Sequence, residues 1–204
     1  MTVTVLAGYR RFLAVPFIML ASLIVTCGVA QAGTQAQARV EHAIAGAVKT
    51  VDHAASTIVV RLADGTEATV KFTAHTTVHG LKDVKSATDA AAKAGLEGGS
   101  VVIRYTGEGI ERTAVAVEHV GKKALVVAKG SLVKVDEAGT FVTVKVAGGA
   151  EETFHFATRV VVDGAGGARD AGVATMRKLK HGVEVTVHYS EEGGRKLVHL
   201  VKHV

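Results

Sequence analysis

Residues 57–73, TIVVRLADGTEATVKFT, decide the fold. Ile58, Val60 and Leu62 recur at every second position, as do Val70 and Phe72, and Asp64-Gly65 lies between the two runs. Period two is the signature of a strand with one buried face. An Asp-Gly pair favours a tight hairpin, because glycine reaches positive φ without steric cost. Residues 141–157, FVTVKVAGGAEETFHFA, repeat the arrangement 84 positions later, with Val142, Val144 and Val146, a Gly148-Gly149 turn, then Phe154 and Phe156. Laying 41–120 over 125–204 without a gap gives 22 identities in 80 positions, among them Gly46/Gly130, Asp52/Asp136, Phe72/Phe156, Tyr105/Tyr189 and His119/His203. A register that survives every turn means two copies of one small domain.

Around each hairpin the same elements are predicted. A first strand covers about 44–52 and 128–136. A brief extended piece ends at Val78-His79-Gly80 and at Val162-Asp163-Gly164. Residues 81–96 are Ala-rich, with Leu81, Val84, Ala87 and Ala91 at helical spacing. In the second copy Gly166, Gly167 and Gly172 oppose a helix, which is expected only from about Asp170 to Leu179. Strand four is Ser100–Thr106 and Glu184–Ser190, and strand five is about 112–120 and 196–204, the last without clean alternation. The fold class is therefore all-β with short helices: two tandem five-stranded OB-like barrels, each with one helix between strands three and four. The domains are expected at 43–121 and 124–204, joined too tightly by Gly121-Lys122-Lys123 for a loose linker.

The motifs Gly46-x-Val48-x-x-Val51-Asp52, Leu62-Ala63-Asp64-Gly65 and Leu96-x-Gly98-x-x-Val101-x-Ile103-x-Tyr105 carry a resemblance. The second copy keeps Gly130, Val135-Asp136, Gly149, Gly182, Val185 and Tyr189, with Lys180 where Leu96 stands. In these the chain resembles exported bacterial OB-like domains of unknown function. The resemblance implies a binding or structural module and brings no catalytic residues.

Residues 1–32 read as an export signal. Arg10-Arg11 precede an apolar run from Phe12 to Val29, and Ala30-Gln31-Ala32 has the A-x-A cleavage pattern. A retained N-terminal anchor is the alternative, since the run approaches the ~20 residues of a membrane span. After cleavage no span is expected, and the protein is placed in the periplasm or outside the cell. Residues 33–42 form a flexible lead-in. Cys27 is the sole cysteine, so the exported part has no disulfide, thiolate metal site or cysteine nucleophile. Without Arg10 and Arg11 there are 22 basic against 19 acidic residues, a net of +3, and no polybasic arm.

No nucleophile elbow or phosphate loop is present. Ser190 and the other serines sit at turns or strand starts, and 164–169 (GAGGAR) reads as a flexible loop leading to the second helix. The chain is not expected to be an enzyme or to carry a cofactor. The outward face of strands two to four carries Arg61, Lys71 and Arg104, matched by Lys145, His155 and His188. Basic character repeated at three positions suits a polar or anionic ligand, an envelope polymer or an envelope protein. Nucleic acid is not expected, because stacking platforms are missing and the chain has no Trp. The alternative is a periplasmic divalent-metal-binding protein using His75 and His79, since all ten histidines lie beyond residue 32 and imidazole is a common ligand.

Overall fold

Both hairpins form. The computed structural model describes residues 40–203, apart from 85, 93–94, 137, 172–174 and 176. In it β2 (Thr57–Leu62) pairs with β3 (Glu67–Lys71), and β8 (Phe141–Val146) with β9 (Glu151–Gly164), all antiparallel. Ile58, Val60, Val70, Val142, Val144 and Phe154 are buried, as the alternation requires. The export signal at 1–32 and residues 33–39 lie outside the described residues. The end of the lead-in belongs to the fold: His42 opens β1 (His42–Asp52), and the Glu41 carbonyl accepts the Ala168 N–H at 2.6 Å.

The remaining elements are β4 (Thr77–His79), α1 (Ala87–Ala92), β5 (Ser100–Thr106), a 3-10 turn (Gly109–Glu111), β6 (Thr113–Gly121), β7 (Val126–Val135), β10 (Gly167–Asp170), β11 (Glu184–Glu192) and β12 (Arg195–His203). The strands make two six-stranded sheets, ordered β3-β2-β1-β5-β6-β4 and β10-β9-β12-β11-β7-β8. In the second sheet β9 pairs with both β8 and β12, so β7, β8, β9, β12 and β11 close into a five-stranded barrel. In the first sheet β3 and β6 meet at one register pair, Lys71↔Thr113.

Registers recur at the 84-residue offset. Gly46 opposes Leu62, and Gly130 opposes Val146. Shifts fall at Val48/Thr50 and at Leu132/Lys134. Next to those shifts the backbones crowd: a Cβ on Gly46 would lie on the Arg61 carbonyl oxygen, and one on Gly130 on the Lys145 carbonyl oxygen. The identity of these two glycines follows from close approach. Tyr105 and Tyr189 each have a cation over the ring, Arg112 at 5.4 Å and Lys196 at 5.5 Å, again 84 residues apart.

The expected helix over 81–96 is shorter. Ser86 Oγ accepts the Asp89 N–H at 3.2 Å, which caps the helix at Ala87, while Ser86 also bridges Thr77. Of the second expected helix, from Asp170 to Leu179, residues 172–174 and 176 lie outside the described residues, and 177–178 form a turn. At its expected start, Asp170 ends β10. The Gly-rich stretch 164–169 is corrected too: it turns β9 back on itself, with Gly167↔Gly164 and Asp170↔Val161 in register. Gly167 takes a φ of 84°, which glycine reaches without steric cost.

Three apolar clusters hold the molecule. One lies inside each sheet, with Ile58, Leu96 and Ile103 in the first and Phe154, Val187 and Val198 in the second. The third lies between the sheets and contains Ala43, Ala45 and Val102 from one, and Val161, Ala168 and Leu200 from the other. It explains why the last strand does not alternate. Val198 and Val201 face the barrel interior, Leu200 faces the first sheet, and the β9–β12 register shifts between Val198 and Leu200.

Candidate functional site

The six outward positions divide by environment. Arg61 and Lys71 lie on the exposed face of the β2–β3 hairpin. Arg61 pairs with Glu67 at 3.3 Å, and Lys71 with Glu111 at 3.1 Å. Lys145 is exposed opposite Glu151, and His155 stands opposite Phe141 with ring centres 6.1 Å apart. Arg104 is drawn between the sheets, where it pairs with Glu41 at 3.2 Å and Asp170 at 3.4 Å. His188 lines a cleft of about 690 Å³ between the sheets. The structure thus puts Arg61 with Lys71, and Lys145 with His155, on hairpin faces, and draws Arg104 and His188 to the region between the sheets.

The cleft is built from both sheets. Ile44 and Ala45 from β1 and Leu62, Ala63 and Asp64 from the first hairpin form one wall. Val127, Lys129, Val146, Ala147, Thr186, His188 and Lys202 belong to the other. β11 is central in its sheet, so Thr186 stands opposite Lys129 on one side and Lys202 on the other. With strands about 4.8 Å apart, the lysines flank the hydroxyl across about 10 Å of backbone. Two residues along, His188 stands opposite Val127 and Leu200.

The electrostatics of this row are uneven. Lys202 shares its charge with Asp163 at 3.5 Å. The Lys129 ammonium makes no hydrogen bond or close ion pair among the described residues, and its charge acts weakly on Asp64. Burial, and then the charges of Lys202 and Lys129, hold His188 down to about 4, so its ring is neutral at pH 7. Its Nδ1 is buried and has no hydrogen-bond partner among the described residues. The cleft's acids are engaged elsewhere: Glu152 by Lys196 at 2.6 Å, and Asp64 by the backbone and hydroxyl of Thr66 at 2.9 and 2.6 Å. A second lobe of about 580 Å³ shares Lys129, Thr186 and Lys202 with the first and adds Asp163 and Glu184.

Reading by recurrence passes over Lys129, Thr186 and Lys202. Their counterparts 84 residues earlier are Ala45, Val102 and Glu118, so each belongs to one copy only. Their signal was a polar row on alternate outward positions of three adjacent strands.

The histidines proposed for metal stand apart from one another in kind. His75 is exposed in the turn after β3, its N–H bonded to Thr73 Oγ1 at 3.2 Å. His79 lines a narrow crevice with Glu118 and Asp170, which Arg104 and Arg159 also enter. Burial lowers its pKa, and Arg159 lowers it further. Among the described residues no three His, Cys, Asp or Glu side chains converge as a metal would need. The recurring His119 and His203 lie against glycines, Gly99 and Gly164, where a Cβ would strike the ring. They occupy packing positions.

Ser190 is not at a strand start. It lies fully buried in β11, with Oγ 2.9 Å from His199 Nε2 and 3.3 Å from Glu192 Oε1. Burial holds His199 down to about 4 as well. The two satisfy each other inside the sheet.

No family model matches the chain, and no curated protein matches it. Among solved structures it is similar to silver-bound Ag(I)CusF, with 14% identity, 39% of this chain and 97% of that chain covered, and a TM-score of 0.29. It is also similar to CusF-Ag(I) residues 10–88 from Escherichia coli, with 12% identity, 40% and 94% covered, and a TM-score of 0.30. Among the described residues no helix is long and apolar enough to cross a membrane.

Proposed function

We propose that the protein is an exported, non-catalytic binding module of the bacterial envelope. Its two OB-like barrels, 43–121 and 124–204, take a small polar or anionic ligand in the cleft between them. One observation carries this reading: the Lys129–Thr186–Lys202 row opens into an otherwise largely apolar cleft of ligand size, also lined by the neutral His188 ring. The hairpin-face residues Arg61 and Lys71 are already paired with carboxylates, which weakens their part in ligand capture.

The test uses 1-anilinonaphthalene-8-sulfonate, an anion with an apolar body whose fluorescence rises in apolar sites. A saturable rise is expected. Ala147→Trp should abolish it, because Ala147 is an exposed turn residue on the cleft wall, and Arg61→Gln with Lys71→Gln should leave it intact. A rise that survives Ala147→Trp would sink the cleft as the site.

A second reading is divalent-metal binding, favoured by the shared crevice of His79, Glu118 and Asp170. Arg104 and Arg159 in that crevice oppose a cation. Silver, named for the two solved structures, is a soft cation that prefers sulfur ligands. Beyond residue 32 this chain has no Cys and one Met, Met176. An EDTA-reversible rise of the melting midpoint with Zn²⁺, Cu²⁺ or Ni²⁺ would restore the metal reading, and a flat response would remove it.

A further inference from the structure

We propose that the cleft selects an amphiphilic monoanion, a single small oxyanion head on an apolar body, with the head at Lys129–Thr186–Lys202 and the body between Ile44, Leu62, Val127 and Val146. This rests on the cleft reading above and names the chemistry of its ligand.

The charge count sets the head. Lys202 is half-compensated by Asp163 at 3.5 Å, and Asp163 also accepts the Ala43 N–H at 3.0 Å and faces His42 at 3.7 Å. Lys129 is the one lysine of the row with no close ion pair among the described residues, its charge acting only weakly on Asp64. One ammonium group without a close ion pair matches one negative charge. A dianion would meet too little positive charge after losing its water shell. Thr186 supplies a hydroxyl between the lysines.

The two lobes set the direction of the body. The lobe beyond the row presents Asp163 and Glu184, which repel an anion that slides past the lysines. The first lobe presents aliphatic side chains; its Glu152 is paired with Lys196, and its Asp64 is exposed and ionised, hydrogen-bonded by Thr66. An anion therefore stops at the row, with its apolar part under the first sheet. Burying such a chain supplies binding free energy without direction, and the row supplies the orientation.

Titration calorimetry on the full protein with decanoate, decyl sulfate, decyl phosphate, decanol and decyltrimethylammonium tests this. Decanoate and decyl sulfate are expected to bind about tenfold or more tighter than decanol, the scale of a lost charge-assisted hydrogen bond. Decyl phosphate should bind no tighter than decanoate, and the cation should not bind. Lys129→Gln should bring decanoate down to the level of decanol and leave decanol unchanged. Equal binding of decanoate and decanol by the wild-type protein overturns the monoanion and leaves the cleft in place. Tightest binding by decyl phosphate overturns the charge argument alone. Loss of every ligand, together with a naphthalene-sulfonate signal indifferent to Ala147→Trp, overturns the cleft itself.

Discussion

The same three-strand row has opposite fates in the two sheets. In the first it reads Ala45–Val102–Glu118, and Ala45 and Val102 are buried in the layer between the sheets. In the second it reads Lys129–Thr186–Lys202 and borders an open cleft. Registers and bulges coincide at the 84-residue offset, so the backbone does not make the difference. Side chains on one outward row do: methyl groups there let one sheet serve as a wall, and ammonium groups keep the other face hydrated. A shared scaffold thus leaves packing to one row and, in the function proposed above, ligand binding to the other. The comparison has a second part. β9 runs unbroken for 14 residues and closes its barrel, whereas the matching stretch of the first sheet is split into β3 and β4.

The largest effect is expected where the sheets agree. Gly46→Ala and Gly130→Ala would each drive a Cβ into a backbone carbonyl that cannot move without breaking the β1–β2 or β7–β8 ladder. Each should cost about 3 kcal/mol or more, the upper range of overpacking. Urea unfolding of the two variants checks it. Losses of similar size would show that the close approach is a common feature of both sheets. A loss in one only would break the likeness at its most conserved register.

A smaller, asymmetric effect is expected with acid. His188 stands where the first sheet has Arg104, and its pKa is held from 6.5 down to about 4 by burial, Lys202 and Lys129. The unfolded chain therefore binds more protons than the native one between those values. Stability contributed by keeping the ring neutral is full above about pH 6.5 and is lost as pH falls toward about 4. At pH 4.5 the loss from this ring is on the order of 2 kcal/mol. His188→Gln should shrink the difference in unfolding free energy between pH 7 and pH 4.5 by that amount. The charged groups lining the cleft with the ring are Lys129 on β7, Lys202 on β12 and Glu152 on β9 of its own sheet, and Asp64 from the other sheet. An unchanged pH profile would mean that the ring is hydrated and that the second sheet's cleft is wetter than its walls imply.

The hairpins were legible because alternation and Asp-Gly or Gly-Gly turns are local signals, and residues 57–73 and 141–157 carry them strongly. Gly46 and Gly130 were legible as recurrences, with their reason supplied by the crowded carbonyls. Position 188 was marked by its basic partner at 104, although the Arg104 guanidinium and the neutral His188 ring sit in unlike surroundings. Lys129, Thr186 and Lys202 were hidden, because they are far apart in sequence and meet only through the β7–β11–β12 pairing. The packing of one sheet on the other was hidden for the same reason: Ala43, Ala45 and Val102 look like ordinary small strand residues until a partner surface is known. The turn at 164–167 was misread because a run of glycines signals a bend without saying which strands it joins.

The finest test concerns the strand break. Thr73 and Thr76 of the first copy correspond to Ala157 and Val160 of the second. Thr76 is buried; its Oγ1 donates to the Ala114 carbonyl at 2.7 Å and accepts the Thr73 N–H at 2.9 Å, while Thr73 Oγ1 accepts the His75 N–H at 3.2 Å. These hydroxyls offer the backbone a turn in place of a ladder, the usual competition of Thr with sheet structure. Ala157 and Val160 have no hydroxyl to offer, and β9 continues. Thr76→Val keeps the shape and removes both bonds, at a cost of about 1–2 kcal/mol. Thr73→Ala with Thr76→Val should, in addition, slow amide exchange across 72–77, as β3 runs on toward β4 and adds register pairs to the single Lys71↔Thr113 contact. Unchanged exchange there would assign the break to the Ser86-capped helix that follows, and not to the two hydroxyls.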